Sequence, residues 1–501
     1  MIDGILQGAQ TAFSFYNILM VIIGCFAGTI IGMLPGLGPI SAIALMIPIT
    51  YGMDPSYGLF LIAGVYYGAV FGGSTSSILI NAPGVAGTVA SSFDGYPLSK
   101  KGQAGKALAI AAYSSFSGGT IAAIFLLIAA PILANISLSF QSSDYFAMML
   151  LGLTAVAAFS GRGNFLKASI MTIFGIMLST IGIDSDSGIP RFTFGRLDLI
   201  DGISFLLLAM AAFALSEAMM NILENKRTNK DEETKLKNEL GSLKLQKNEI
   251  RQIAPTIARS SILGFFVGIL PGAGATIASF LAYGMERSFA SKKEKQKFGN
   301  GSLQGLAGPE SANNAASSGS FVPLLTLGIP GSGTTAVILG ALISYGIQPG
   351  PTLYIDNPIL FWSVIISMYI GNLVLLILNL PLIPYIAKIL TLPKQLLLPL
   401  IIFFSLIGVY LVTFNNFDIY IMTLFAVVAL FLRILDFPMA PMILGFILGK
   451  MIEDNLRRSL TISDGSISFL WERPITLSLL IIIIVIILSP IILKYLSKKR
   501  S

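Results

Sequence analysis

The stretch "GMLPGLGPIS" (residues 32–41) interrupts an apolar run, and "GILPGAGATI" (268–277) interrupts another in the second half of the chain. Proline and glycine break helices. Inside hydrocarbon, an unpaired backbone N–H or C=O costs several kcal/mol, so a break is tolerated only where protein or a water-filled cavity covers it. A helix that restarts there presents free N–H groups and the positive end of its dipole, an anion site that needs no cationic side chain.

The surrounding sequence puts both runs in a membrane. The 501 residues are 54% hydrophobic and 11% charged, against about 25% charged in soluble domains. Stretches near or above the ~20 apolar residues that cross a bilayer recur along the chain, which predicts an all-α polytopic protein of about a dozen crossings. The plainest is "ITLSLLIIIIVIILSPIIL" at 475–493. The net charge of +7 gathers in short connections such as "SKKGQAGK" (99–106) and "SKKEKQK" (291–297), as the positive-inside bias gives, and calls for no nucleic acid. "MIDGILQGAQ" lacks the marks of a cleavable signal, so the first apolar segment is expected to be a retained helix.

Between 224 and 254 the composition changes to a run with eight basic and six acidic residues up to Arg251, which reads as a cytoplasmic linker. Leu236, Leu240 and Leu243 leave open an amphipathic helix within it. The expected organisation is a first transmembrane repeat (1–223), the linker, a second repeat (255–470), and a final helix with a basic tail (471–501). The halves match without a gap at Gly28, Gly32, Leu34, Pro35, Gly36 and Gly38 against Gly264, Gly268, Leu270, Pro271, Gly272 and Gly274. A second pair follows in the same order, "NAPGVAGT" (81–88) and "GIPGSGTT" (328–335). This pattern predicts an internal duplication, with an inverted topology of discontinuous helices as in secondary transporters. Glycines every four residues before the breaks read as seams for close helix packing.

The four breaks are the predicted anion-binding positions, with hydroxyl and amide residues dense around them in "GGSTSSILIN" (72–81), "SANNAASSGS" (311–320) and "GSGTT" (331–335). Among acidic residues, Asp94 reads most simply as a turn residue and Glu310, after Pro309, as a first-turn cap. Either could instead carry a proton or help hold Na⁺. With no histidine and no Walker-type motif, Ser-His catalysis, histidine metal sites and ATP hydrolysis by that route are excluded. The lone Cys25 supports no disulfide framework. An enzyme is not expected.

Four segments carry a resemblance: "GMLPGLGP" (32–39), "ILINAPGVAGTVASSFDGYPLSKKGQAGKAL" (78–108), "GILPGAGATIASFLAYGMER" (268–287) and "FGNGSLQGLAGPESANNAASSGSFVPLLTLGIPGSGTTAVILG" (298–340). In these the chain resembles the large membrane subunit of the bacterial tripartite tricarboxylate transporter family. The resemblance implies the transport channel of an inner-membrane importer, working with a small four-helix membrane subunit and an extracytoplasmic solute-binding protein. It implies uptake of carboxylates such as citrate, driven by a Na⁺ or H⁺ gradient, with no other cofactor; a homodimer is left open. A stand-alone organic-anion permease or channel is the other reading. Substrate contacts are expected at Pro35, Gly36, Leu37 and Gly38; at Asn81, Pro83 and Gly84; at Pro271, Gly272, Ala273, Gly274 and Thr276; and at Gly328, Pro330, Gly331, Ser332, Gly333 and Thr334. Candidates for the coupling ion are Ser74, Thr75, Ser76, Asp94, Glu310, Asn313 and Asn314.

Overall fold

The computed structural model describes residues 2–34, 37–159, 165–184, 186–225, 241–272, 274–388 and 394–498. The first half runs α1 (Ile2–Ala12), α2 (Phe15–Met33), α3 (Gly38–Thr50), α4 (Pro55–Ile80), α5 (Val89–Leu98), α6 (Ala104–Ser137), α7 (Ser142–Phe159) and α8 (Phe165–Ser179), then α9 (Phe205–Ala209) and α10 (Ser216–Asn225). Across the charged segment follow α11 (Lys247–Ile269), α12 (Gly274–Phe289), α13 (Lys292–Lys295), α14 (Leu303–Gly319), α15 (Phe321–Leu327), α16 (Gly333–Ser344), α17 (Pro351–Asp356) and α18 (Pro358–Asn379). The chain ends with α19 (Ile383–Ile386), α20 (Lys394–Thr413), α21 (Asn416–Ile434), α22 (Met439–Ile462), α23 (Phe469–Glu472) and α24 (Pro474–Lys498). A two-stranded antiparallel ribbon, β1 (Gly182–Ile183) with β2 (Pro190–Arg191), follows α8.

Seven helical segments among the described residues are long and apolar enough to cross a membrane, and shorter apolar helices such as Gly38–Thr50 and Gly333–Ser344 accompany them. Exposed Ile124, Ile128, Ile132 and Ile136 form one stripe along α6, the pattern of a lipid-facing surface. Helix α11 begins at Lys247, inside the segment expected to be linker, and is opened by a capping box of Gln246 and Glu249. Leu243 lies in non-helical chain before it; Leu236 and Leu240 lie outside the described residues.

Two glycine seams build the interior. A Cβ on Gly24, Gly28 or Gly32 of α2 would collide with the carbonyl of Leu61, Val65 or Ala69 on α4. One on Gly264 or Gly268 of α11 would collide in the same way with Ala312 or Ala316 on α14. Backbones this close exclude any side chain, which is why these positions are glycine. Helix α14, though poor in large apolar residues, is buried along nearly its whole length between α11, α12, α5 and α6.

The basic connections share a face. Lys101 donates to the carbonyl of Asn300 at 2.6 Å, and Lys106 pairs with Glu249 at 2.7 Å. Helix α5 runs toward this face, so the chain reversal at Thr50–Asp54 lies at the opposite one. Thr50 hydrogen-bonds there to Tyr345, which follows α16.

Candidate functional site

Each of the four motifs interrupts helical chain, and the two halves do so with the same local geometry. Helices α2 and α11 end on extended Leu34 (φ −78°) and Leu270 (φ −74°). The restarted helices open on Gly38 (φ +61°) and Gly274 (φ +59°), a left-handed conformation that favours glycine. Helices α4 and α15 end on left-handed Asn81 (φ 52°) and Gly328 (φ 69°). Pro35, Gly36 and Ala273 lie outside the described residues.

Within each half the two breaks touch. Gly84 lies against the Gly32 carbonyl so tightly that a Cβ would collide with it, and Gly331 approaches Gly268 in the equivalent way. Gly272 donates its N–H to the Gly331 carbonyl at 3.0 Å. The breaks also cross between halves. The hydroxyl of Ser279 on α12 donates to the carbonyl of Gly87 at 2.6 Å, within reach of that of Pro309 as well. A Cβ on Gly87 would meet Asn313 Oδ1 at 2.8 Å, and one on Gly333 would meet Ile40 of α3 at 3.2 Å. Thus "NAPGVAGT" meets the start of α12 and "GIPGSGTT" meets the start of α3.

At α16 the Ser332 hydroxyl accepts from the Thr335 N–H at 3.2 Å while the Ser332 N–H donates to Thr335 Oγ1 at 2.8 Å. This capping box takes up the third amide of the helix, so Gly333 and Thr334 carry the donors it still offers. Leu37, Pro330, Gly331 and Thr334 are buried; Gly38, Pro83, Pro271, Gly272, Gly274, Thr276, Ser332 and Gly333 are half-buried, and Asn81 is exposed.

The ion candidates do not form one cluster. Asp94 is no turn residue: it lies inside α5, and its Oδ1 accepts from the amides of Gly301 at 2.8 Å and Ser302 at 2.7 Å, capping the start of α14 from the other half. Nor is Glu310 a first-turn cap, because α14 begins at Leu303 and carries Pro309 within it. Glu310 is buried, and its Oε2 accepts from Ser74 at 2.7 Å and Ser115 at 2.9 Å. Asn313 is buried with both polar atoms unpartnered among the described residues, whereas Asn314 donates to the Glu310 carbonyl at 3.0 Å. Ser76 bonds the Gly73 carbonyl of its own helix, and Thr75 is buried beside Ser74. Ser115 was missing from the sequence candidates, although a hydroxyl pair inside the apolar run "AIAAYSSFSGG" (109–119) is the kind of signal that marks it.

On the face opposite the basic one, a cavity of about 700 Å³ is lined by Asp184, Arg191, Lys450, Glu453 and Arg457, with Leu339 and Gly340 of α16. Hydrogen bonds from Arg457 hold the Asp184 carboxyl below the usual carboxylate range, and those from Arg191 do the same for Glu453. Charged residues here are spread through a hairpin and a helix end, a grouping no sequence motif announces.

Residues 18–444 match the family described as "Tripartite tricarboxylate transporter TctA family". The chain belongs to that family. Membership makes it the large subunit of tripartite systems that also contain a small subunit and a binding protein, and it makes the protein a transporter component. The TctA match spans both breaks of both halves. The chain is 42% identical over 480 residues to an uncharacterized 52.8 kDa protein in the TAR-I ttuC′ 3′ region of Agrobacterium vitis, covering 96% of this chain and 94% of that one. A second Agrobacterium vitis protein, from the TAR-II ttuC′ 3′ region, is 46% identical over 217 residues, which is 43% of this chain and 89% of that protein. No solved structure matches the chain.

Proposed function

We propose that this TctA-family subunit imports organic di- or tricarboxylates such as citrate, driven by a Na⁺ or H⁺ gradient and supplied by a binding protein. The observation that carries this reading is the meeting of all four Pro-Gly breaks, each at or just before a helix start. Several helix N-termini converging on one place can each contribute about 0.3–2 kcal/mol toward an anion, without a cation that would hold it too tightly to release. The positive-inside bias makes the basic face cytoplasmic, which turns the cavity of about 700 Å³ outward. That volume falls in the range of small-molecule pockets, and its α16 wall leads to the "GIPGSGTT" break.

Alternating access follows from movement of one set of paired breaks against the other, in an arrangement of inverted repeats in the bacterial inner membrane. The test is uptake of labelled citrate and other carboxylates into proteoliposomes holding this chain, its small membrane subunit and the matching binding protein. Na⁺ and proton gradients are imposed separately. Uptake should require a gradient and the binding protein. Carboxylates that stay outside under both gradients would defeat the reading, and uptake without the binding protein would replace it with a stand-alone permease.

A further inference from the structure

Glu310 is a buried acid without an ionic partner among the described residues. Its Oε2 takes the hydroxyl protons of Ser74 and Ser115, from α4 and α6. Among the described residues the other oxygen, Oε1, accepts no further bond of good geometry, and the Ser91 hydroxyl of α5 approaches the same carboxyl as a looser third donor. The helices packed against α14 bring Asp94 on α5, which caps α14, and the Arg259–Glu286 pair of α11 and α12, joined at 2.7 Å. Glu286 packs beside Gly308 and is held further by Thr256 at 2.7 Å. Tyr283 of α12 faces Asp94. None of these touches the Glu310 carboxyl.

A full negative charge enclosed by hydroxyls alone, in a membrane interior, is stable only when a cation joins it. Ser74 and Ser115 also line, with Thr75 and Asn379, a cavity of about 10 Å³ that Glu310 itself does not line. That is room for about one water and not for an organic acid. Ser74 and Ser115 already turn their protons toward Oε2, and a single proton completes Oε1 without drawing any further ligand to it.

We propose that Glu310, held by Ser74 and Ser115 and approached by Ser91, is the site that binds and releases the coupling proton, which joins at Oε1. This rests on the import reading above and fixes its coupling ion. Glu310 lies about 10 Å along α14 from its start at Leu303. Three residues further on, at Asn313, which faces Gly87, the same helix borders the crossed breaks. Loading the carboxyl therefore bears on the helix that the substrate breaks pack against.

The experiment compares wild type with Glu310→Gln and Ser91→Ala in the reconstituted complex, each first checked by melting and size exclusion. Two transport modes are read: uptake driven by an imposed proton gradient, and exchange of labelled for unlabelled carboxylate without a gradient. Glu310→Gln should lower gradient-driven uptake at least tenfold, keep exchange, and remove its pH dependence; Ser91→Ala should shift the pH midpoint of exchange. Proton-driven accumulation that survives Glu310→Gln overturns the proposal, as does a Na⁺-driven uptake indifferent to pH. Should wild type move no carboxylate at all, the import reading fails by itself. The site is then read by infrared spectroscopy of the complex: a protonated-carboxyl band that titrates in wild type and vanishes in Glu310→Gln supports it, and one unchanged by the substitution overturns it. If Glu310→Gln does not fold, the Ser91→Ala midpoint decides: an unshifted midpoint overturns the proposal.

Discussion

The two inner helices, α4 and α14, lie in one register against their glycine-seamed partners but carry opposite chemistry. Val65 faces Gly28 as Ala312 faces Gly264, and Gly84 faces Gly32 as Gly331 faces Gly268. Counting from Val65 and Ala312, Ala63 stands where the second half has Glu310, and Tyr66 and Tyr67 stand where it has Asn313 and Asn314. Packing is therefore common to both halves, while at these positions α14 alone buries a carboxyl and side-chain amides. A helix held by backbone-to-backbone approach needs no apolar bulk to stay in place, so α14 can bury a carboxyl and two amides at positions that α4 fills with alanine and tyrosine.

The largest effect should come from breaking what the halves share. Gly28→Val and Gly264→Val each drive a side chain into a carbonyl, and each should cost about 3 kcal/mol or more, seen as lost yield and a lowered melting midpoint in detergent. Tolerance in one half alone would show that the seams are not equivalent. Next comes an exchange of the chemistry that differs. Ala63→Glu buries an acid with no hydroxyls arranged for it and should cost about 2–4 kcal/mol. Glu310→Ala should cost only about 1–2 kcal/mol while abolishing gradient-driven uptake. Equal destabilisation by both would make Glu310 a packing residue.

Smaller effects test the ties between halves. Asp94→Ala leaves the amides of Gly301 and Ser302 without their acceptor and should cost about 1–3 kcal/mol by melting. The outer clasp, in which Arg457 bonds Asp184 at 2.7 Å and Arg191 bonds Glu453 at 2.7 Å, gives the smallest effect. Both carboxyls titrate below their ordinary values, so the clasp stabilises at neutral pH and is lost as the pH falls below about 4. The melting midpoint should drop there, and Arg457→Gln should flatten the drop.

Much of this comparison was legible in the sequence because Gly and Pro act through the backbone, where spacing alone carries the information. The matched Gly28/Gly264 and Gly32/Gly268 pairs, the positive-φ restarts at Gly38 and Gly274, and the hydrophobic spans all follow from local rules. What sequence could not show is how the breaks cross between halves, since Ser279 and Gly87 meet although 192 residues separate them. For the same reason Asp94 and Glu310 were misread as local turn and cap residues: their partners, Ser302 in one case and Ser74 and Ser115 in the other, come from distant helices. The outer cavity was equally hidden, because its charges sit in separate stretches with no spacing in common.

That carboxylates bind where the four breaks meet is most directly tested by labelling. Cys25 is the sole cysteine and is buried, so Cys25→Ala gives a clean background for Ser332→Cys at the half-buried start of α16. In the reconstituted complex, a maleimide should modify this thiol, and a transported carboxylate should slow the reaction at least fivefold at saturating concentration. A labelling rate unchanged by every carboxylate that the same proteoliposomes take up would place the binding site elsewhere.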